Sequence, residues 1–408
     1  MPGPGISVQP VIVMRFAGID VASQTHVLAV TTETGDILVK PTPFGEDRAG
    51  YEKLMTLLDS ATDLLVAMEA TGHYGRNLFG ALCEWGYQVA LLNPLRTHRF
   101  AQEDLRRAKN DSIDALGIAR FAAQKRPAPT APFDEATDQL REFTHLYERL
   151  TQDFGDRVRQ VHRLVDLGFP EFTRHIPNLG THRATSILAE YPSAQAFCGS
   201  CLPTLASMRY DGSHAVGQPL ASALVEAAPS SVGRHHGPAY RLAMRFLCRD
   251  LDRLRQQLRE LHQEIDARVA QHPVGTLLTT IDGLGTIAVA RLLSAVGDPA
   301  HLRSGAALAS YVGAVPGSNK SGLRWANRAS LSPLGNARLR RTLFMTTLGA
   351  VRRNPWLRAY YERLRARGKL PKVALLAAMR KLLMAVYSVA KHRQPFVPRL
   401  PVNRDPPK

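Results

Sequence analysis

Four acidic residues in the first third of the chain, Asp20, Glu69, Asp111 and Asp114, stand where short elements can aim them at one point. Carboxylates gathered in this way are hard oxygen ligands. The ion they suit is Mg²⁺, which takes oxygens at roughly 2.0–2.1 Å and leaves its other positions to water or substrate phosphates. A pair of such ions, with Mn²⁺ as the alternative, would stabilise the entering and leaving oxygens of an in-line displacement. The four residues would then act as metal ligands and not as general acid and base. Taken singly, each has an ordinary use as a helix cap or a solvated charge. Taken together, behind a predicted β-hairpin, they favour a metal site.

Hydrophobic spacing indicates the elements that must position them. Residues 16–20 (FAGID) close an apolar run, and after a short turn residues 26–30 alternate back, which sets Asp20 at a strand end beside a hairpin. Residues 64–68 are a second apolar run, followed by Glu69 and the Gly-containing turn ATGHYG. Residues 88–92 are a third, closed by Asn93 and Pro94. Asp111 and Asp114 open a helical pattern (KNDSIDALGIARFA), on one face and near the positive end of that helix.

The charge is unevenly spread. The 408-residue chain carries +17, with 52 Lys and Arg against 35 Asp and Glu. Residues 301–408 hold 22 basic side chains and only Glu362 and Asp405 as acids, whereas the first 300 residues hold 30 against 33. A merely solvated basic face usually has acids interspersed. Their near absence here is the footprint expected for a phosphate backbone. Candidate nucleic-acid contacts are Lys109, beside the acidic pair, and Lys320, Arg324, Arg328, Arg338, Arg340 and Arg341.

A chain of this length has room for two or three domains. Its four cysteines and the absence of a charged-then-apolar leader predict a reducing cytoplasm. Cys198 and Cys201 form a lone C-x-x-C without the second pair that zinc needs. The apolar stretch 373–389 is interrupted by Arg380 and Lys381 and reads as an amphipathic helix, so no membrane partner is expected.

The organisation read from the chain is an α/β domain over residues 1–126, ended by a stiff Pro-rich linker, PAPTAP. Residues 127–272 hold that linker, two long helices and a poorly patterned insert at about 170–238. Leu140, Phe143, Tyr147, Leu150, Phe154, Val158, Val161 and Val165 trace the first helix, and Leu247, Leu251, Leu254, Leu258, Leu261 and Ile265 the second. The pair can form a coiled coil, within one chain or between protomers, or the first can pack on its own domain. IPNLGT at 176–181 echoes IDGLGT at 281–286. Each reads as a helix–Gly-turn–helix unit, which can hold a phosphate at a helix N-terminus or serve as a plain hairpin. Gly283 and Gly285 allow the close backbone approach that the first use requires. Residues 273–394 form a mainly helical domain, and 395–408 a Pro-rich basic tail. Within the helical domain Ser321, in the loop GSNKSG, is either a turn former or a nucleophile.

GIDVAS, MEATGHYG and KNDSIDA, followed by IDGLGTIAVARLLSAVGD, LASYVGAVP, the SG dipeptide and GNARLRRTL, together resemble the DEDD transposases of the insertion-sequence 110 family, relatives of the Piv DNA invertases. The likeness covers nearly the whole chain. It implies an N-terminal RuvC-like (RNase H-like) domain whose acidic tetrad maps to Asp20, Glu69, Asp111 and Asp114. It also implies a C-terminal transposase domain whose serine maps to Ser321. In the family that serine attacks a DNA phosphodiester and forms a phosphoserine link, assisted by the metal site, and a structured bridge RNA guides the choice of target and donor DNA. Such a site is composite and is expected to form in a homo-oligomer, a dimer or tetramer. Two departures stand out: Lys109-Asn110-Asp111 where the family usually has K-T-D, and an insert longer than in compact members.

Other classes are weaker fits. A sugar-kinase or actin-like ATPase would need later Gly-rich phosphate loops, which the chain lacks. A Holliday-junction-type nuclease would use the tetrad alone, by water attack, without Ser321. A non-catalytic scaffold would tolerate loss of all four carboxylates.

Overall fold

Six residues, RFAGID, form a central strand because their apolar run is buried on both faces. The computed structural model describes residues 14–70, 72–103, 111–131, 134–315 and 335–398. The chain divides into two compact units, Met1–Phe133 and Asp134–Lys408. In unit 1 the strands β1 (Arg15–Asp20), β2 (Thr25–Thr32), β3 (Ile37–Gly45), β4 (Leu64–Glu69) and β5 (Gln88–Leu92) make one sheet in the order β3-β2-β1-β4-β5. The first three run antiparallel, while β4 and β5 continue parallel to β1. This mixed five-stranded order is consistent with the RNase H-like domain that the resemblance implies.

Alternation along β1 and β4 sends side chains to two helical layers. Ala17, Ile19, Val66 and Met68 face α1 (Arg48–Leu58) and α2 (Arg76–Glu84), where Leu54, Leu58, Leu78 and Leu82 are fully buried. Each such burial contributes about 1.5–3 kcal/mol. After α3 (Pro94–Glu103), the helix α4 (Asp111–Lys125) covers the opposite face, where its Ile118, Phe121 and Ala122 meet Phe16, Leu65, Ala67 and Leu92. Gly18 sets how close that helix can come. A Cβ there would lie 2.3 Å from both the carbonyl oxygen of Ala115 and the backbone nitrogen of Ala119.

Unit 2 is helical. Helix α5 (Glu135–Gly168) leads into five short helices, α6 (Phe172–His175), α7 (His182–Glu190), α8 (Ala194–Cys198), α9 (Leu202–Ser207) and α10 (Gln218–Ala227). The chain returns along α11 (Pro238–Gln271). The insert is therefore built, with its own core around Phe169, Phe172, Phe197 and Leu224. Its helices of 4 to 10 residues are too short to show a period in the sequence. The two long helices pair within the chain, with Tyr147 and His262 rings 6.0 Å apart, Arg157 Nε 3.2 Å from Asp250 Oδ2, and Tyr240 Oη donating to the Leu164 carbonyl at 2.7 Å. Rising numbers on α5 meet falling numbers on α11, so the pair is antiparallel.

Helices α12 (Pro273–Leu278), α13 (Thr286–Val296), α14 (Gly305–Val312), α15 (Ala337–Arg353), α16 (Pro355–Ala366) and α17 (Pro371–His392) complete the unit. The boundary expected at 273 falls inside one core, where Leu140, Leu261 and Ile265 pack with Ile281, Leu292, Leu343 and Val386. Among the described residues α17 alone is long and apolar enough to cross a membrane, and more than half of that stretch is buried inside the unit. Ala378, Met379, Leu382, Leu383 and Val386 make it the central helix of the core.

Candidate active site

Two neighbouring parallel strands end in carboxylates. Ile19 pairs with Met68, so the next residues, Asp20 and Glu69, are register neighbours at the carboxyl ends of β1 and β4. Both share the strand parity of the face that α4 covers: Phe16 and Gly18 precede Asp20 on it, and Leu65 and Ala67 precede Glu69. Helix α4 runs antiparallel to β1, since Ala115 and Ala119 lie against Gly18 while Phe121 and Ala122 lie against Phe16 and Leu65. That direction brings Asp111 and Asp114, in its first turn, toward the Asp20 end of the sheet. Asp111 is exposed, and Asp114, Asp20 and Glu69 are half-buried.

Strand register and helix direction thus point the four positions toward one edge of the sheet, on the face that α4 covers. Among the described residues, no three His, Cys, Asp or Glu side chains lie close enough to share an ion. The donor set is all carboxylate oxygen, which fits a hard cation such as Mg²⁺.

Two supports escape sequence reasoning. Thr97, buried on α3, donates its hydroxyl to Glu69 Oε1 at 2.5 Å, with the Pro94 carbonyl oxygen 3.0 Å from the same hydroxyl, which fixes the Glu69 side chain. On the other flank, the Ala22 amide, two residues past Asp20, donates to Nδ1 of the fully buried His26 at 3.2 Å. His26 Nε2 in turn lies 2.6 Å from Glu46 Oε2, where it donates. Tyr51 Oη and Asn77 Nδ2 also donate to Glu46, at 2.9 and 3.1 Å. Burial works to raise the Glu46 carboxyl, but the bonds from His26, Tyr51 and Asn77 outweigh it and hold the group below the usual carboxylate range. The turn after Asp20 is in this way tied to a charged anchor.

Of the basic candidates, Arg338 and Arg341 are exposed on α15 and have no acidic partner among the described residues. Arg340 is half-buried, with its Nη1 3.5 Å from the Val312 carbonyl oxygen. Ser321, Lys320, Arg324, Arg328 and Lys109 lie outside the described residues. Gly283 has a structural use: with φ +87°, it passes so close to α15 that a Cβ would sit 2.5 Å from the Ala350 Cα. Gly285 caps α13 with open space around it. The first of the echoed segments likewise starts a helix, with Thr181 capping α7 through the Ala184 amide at 3.3 Å.

The chain matches two models of one family. A model described as "Transposase" covers residues 17–170, and one described as "Transposase IS116/IS110/IS902 family" covers residues 275–362. Among relatives, "Insertion element IS110 uncharacterized 43.6 kDa protein" of Streptomyces coelicolor is 26% identical over 95% of this chain and 96% of its own length. "Insertion element IS116 uncharacterized 44.8 kDa protein" of Streptomyces clavuligerus is 24% identical over 95% and 98%. "Pilin gene-inverting protein" of Moraxella bovis is 23% identical over 88% and 90%. The first model takes in all four carboxylates at the sheet edge and the second spans α12 to most of α16, so that together they fall on both units. With matches at both ends and relatives aligned along nearly its whole length, the chain belongs to the IS110 family of transposases, enzymes that recombine DNA.

Proposed function

We propose that the protein is the transposase of an insertion sequence, cutting and rejoining DNA through a serine-linked intermediate. The observation that carries the reading is the placement of Asp20 and Glu69 at adjacent strand ends, with Asp111 and Asp114 on the helix that crosses the same face.

Asp20, Glu69, Asp111 and Asp114 would hold Mg²⁺, which when bound supplies charge stabilisation for the oxygens around a reacting phosphorus. Thr97 and the His26–Glu46 anchor keep the strand-end carboxylates oriented before DNA arrives. The Ser321 hydroxyl attacks the phosphorus of a phosphodiester and gives up its proton. The P–O bond to one sugar breaks, that sugar oxygen leaves as a hydroxyl, and a phosphoserine ester remains. Attack on this ester by a sugar hydroxyl of another strand restores Ser321 and completes the exchange without net hydrolysis. A bridge RNA carried by the element would select the DNA by pairing, leaving the protein to hold backbone.

Covalent capture tests the reading. The protein, with its flanking RNA, is incubated with DNA spanning the element ends and Mg²⁺, then denatured. A protein–DNA adduct is expected from the wild type and none from Ser321→Ala. Cleavage without any adduct would replace this reading with a junction nuclease that uses water.

A further inference from the structure

One open cleft of unit 2, with a volume of about 520 Å³, is lined by cations. Arg338, Arg341 and Arg353 reach it from α15 and Arg291 from α13, against a single lining carboxylate, Glu148 of α5. On α15 the lining positions 338, 341, 345, 349 and 353 recur three and four apart and form one stripe. The rise from Arg338 to Arg353 is about 22 Å, at ~1.5 Å per residue. A DNA strand presents a phosphate every ~3.4 Å, so the stripe is as long as about six phosphates.

Among the described residues none of the four guanidinium groups is ion-paired with a carboxylate. Arg338, Arg341 and Arg353 are exposed, with no carboxylate partner among the described residues. Arg291 Nη1 donates to Thr342 Oγ1 at 2.7 Å, and its Nε is buried without a hydrogen-bond partner. Its guanidinium carbon lies 5.9 Å from the Tyr147 ring centroid, a contact that fixes direction without neutralising charge. The nearby Asp266 carboxylate already accepts the Thr286 hydroxyl. Cations held together in one recess with an unsatisfied buried donor are costly unless an anion joins them. The length of the stripe favours a polyanion over a single small anion.

We infer that this cleft is a docking groove for the phosphate backbone of duplex DNA, gripping it without reading its sequence. The inference rests on the proposed DNA recombination, and duplex DNA is its occupant because the family's enzymes act on DNA. The groove lies within unit 2 and selects among the members of the basic segment: Arg338, Arg341 and Arg353 line it, with Arg291 behind them, and Arg340 does not line it.

Fluorescence anisotropy of the full chain with a labelled 30-base-pair duplex of arbitrary sequence, across a salt series, tests it. The Arg338→Ala/Arg341→Ala/Arg353→Ala protein is expected to bind about tenfold or more weakly. Its plot of log affinity against log salt should be shallower by about 2–3, near 0.9 per lost phosphate contact. A charge-matched control, Arg367→Ala/Lys372→Ala/Lys391→Ala, should keep the wild-type slope. If the triple variant does not fold, Arg341→Gln alone should lower the slope by about 1. An unchanged slope in the groove variant, an equal loss in the control, or a loss confined to a labelled single-stranded RNA overturns the groove. Wild-type protein that binds no duplex at all overturns both the groove and the recombination reading, whereas wild-type binding with unaltered variants overturns the groove alone.

Discussion

Unit 1 places acids where backbone geometry fixes them, and unit 2 places bases where side chains can adapt. Asp20 and Glu69 continue two hydrogen-bonded parallel strands, so their Cα positions are set by the sheet. Arg338, Arg341 and Arg353 stand on one helix face, each on a long flexible stem. The difference matches the two proposed tasks. Chemistry at phosphorus needs groups held within about 0.5 Å, which rigid elements give, whereas attraction to a backbone tolerates slack.

The sharpest break in the comparison is Asp20→Ala or Glu69→Ala. Either should bring strand exchange to background, while duplex affinity changes by no more than about twofold, the scale of a surface substitution. Thr97→Val is expected next. It keeps the shape but removes the donor to Glu69 Oε1, and a support of this kind costs about 10–100-fold in activity when lost. Unfolding free energy should change by only about 1 kcal/mol, so steady-state rates and urea melts of the same protein separate the two effects. Gly18→Ala pushes a methyl group into the backbone of α4 and should lower the stability of unit 1 by about 1–3 kcal/mol, read as an earlier melt of the sheet while the helical unit is unaffected.

The smallest effect is a pH dependence that also divides the units. In unit 2, burial holds the imidazole of His272 below the ordinary histidine range, and its neutral Nδ1 accepts the Val274 and Gly275 amides at 3.2 and 3.1 Å. The unfolded chain takes up a proton near pH 6.5, but the folded chain resists it. The stability is therefore complete above about pH 6.5 and is lost as pH falls toward the lower folded value. Glu46 in unit 1 is a carboxyl with a lowered value, so its contribution is kept above about pH 4.5 and lost only in stronger acid. Thermal melts between pH 7.5 and 5 should show unit 2 weakening first, and His272→Asn, which keeps a capping acceptor that does not titrate, should flatten that response.

Much of unit 1 was legible because β1, β4 and β5 are continuous apolar runs that a strand buried on both faces requires. Strand β3 was not, since Pro41 and Pro43 interrupt it. The sheet tolerates them because β3 is an edge strand. The carboxylates at strand ends could be named from sequence, but the direction and closeness with which α4 crosses β1 at Gly18, which turn the helix carboxylates toward that edge, are encoded by no local pattern. Thr97 is 28 residues from Glu69 and follows no motif. In unit 2 the basic bias of residues 301–408 was plain, yet it could not tell Arg341, which lines the cleft, from its neighbour Arg340, which does not.

The division of labour is tested most directly by measuring two properties of one protein, Asp20→Ala: cleavage of element-end DNA with Mg²⁺, and the salt dependence of duplex binding. The expected result is no cleavage with a wild-type affinity and slope. Retained cleavage, or a slope that falls with the loss of the carboxylate, would contradict the assignment of chemistry to the sheet edge and binding to the helical unit.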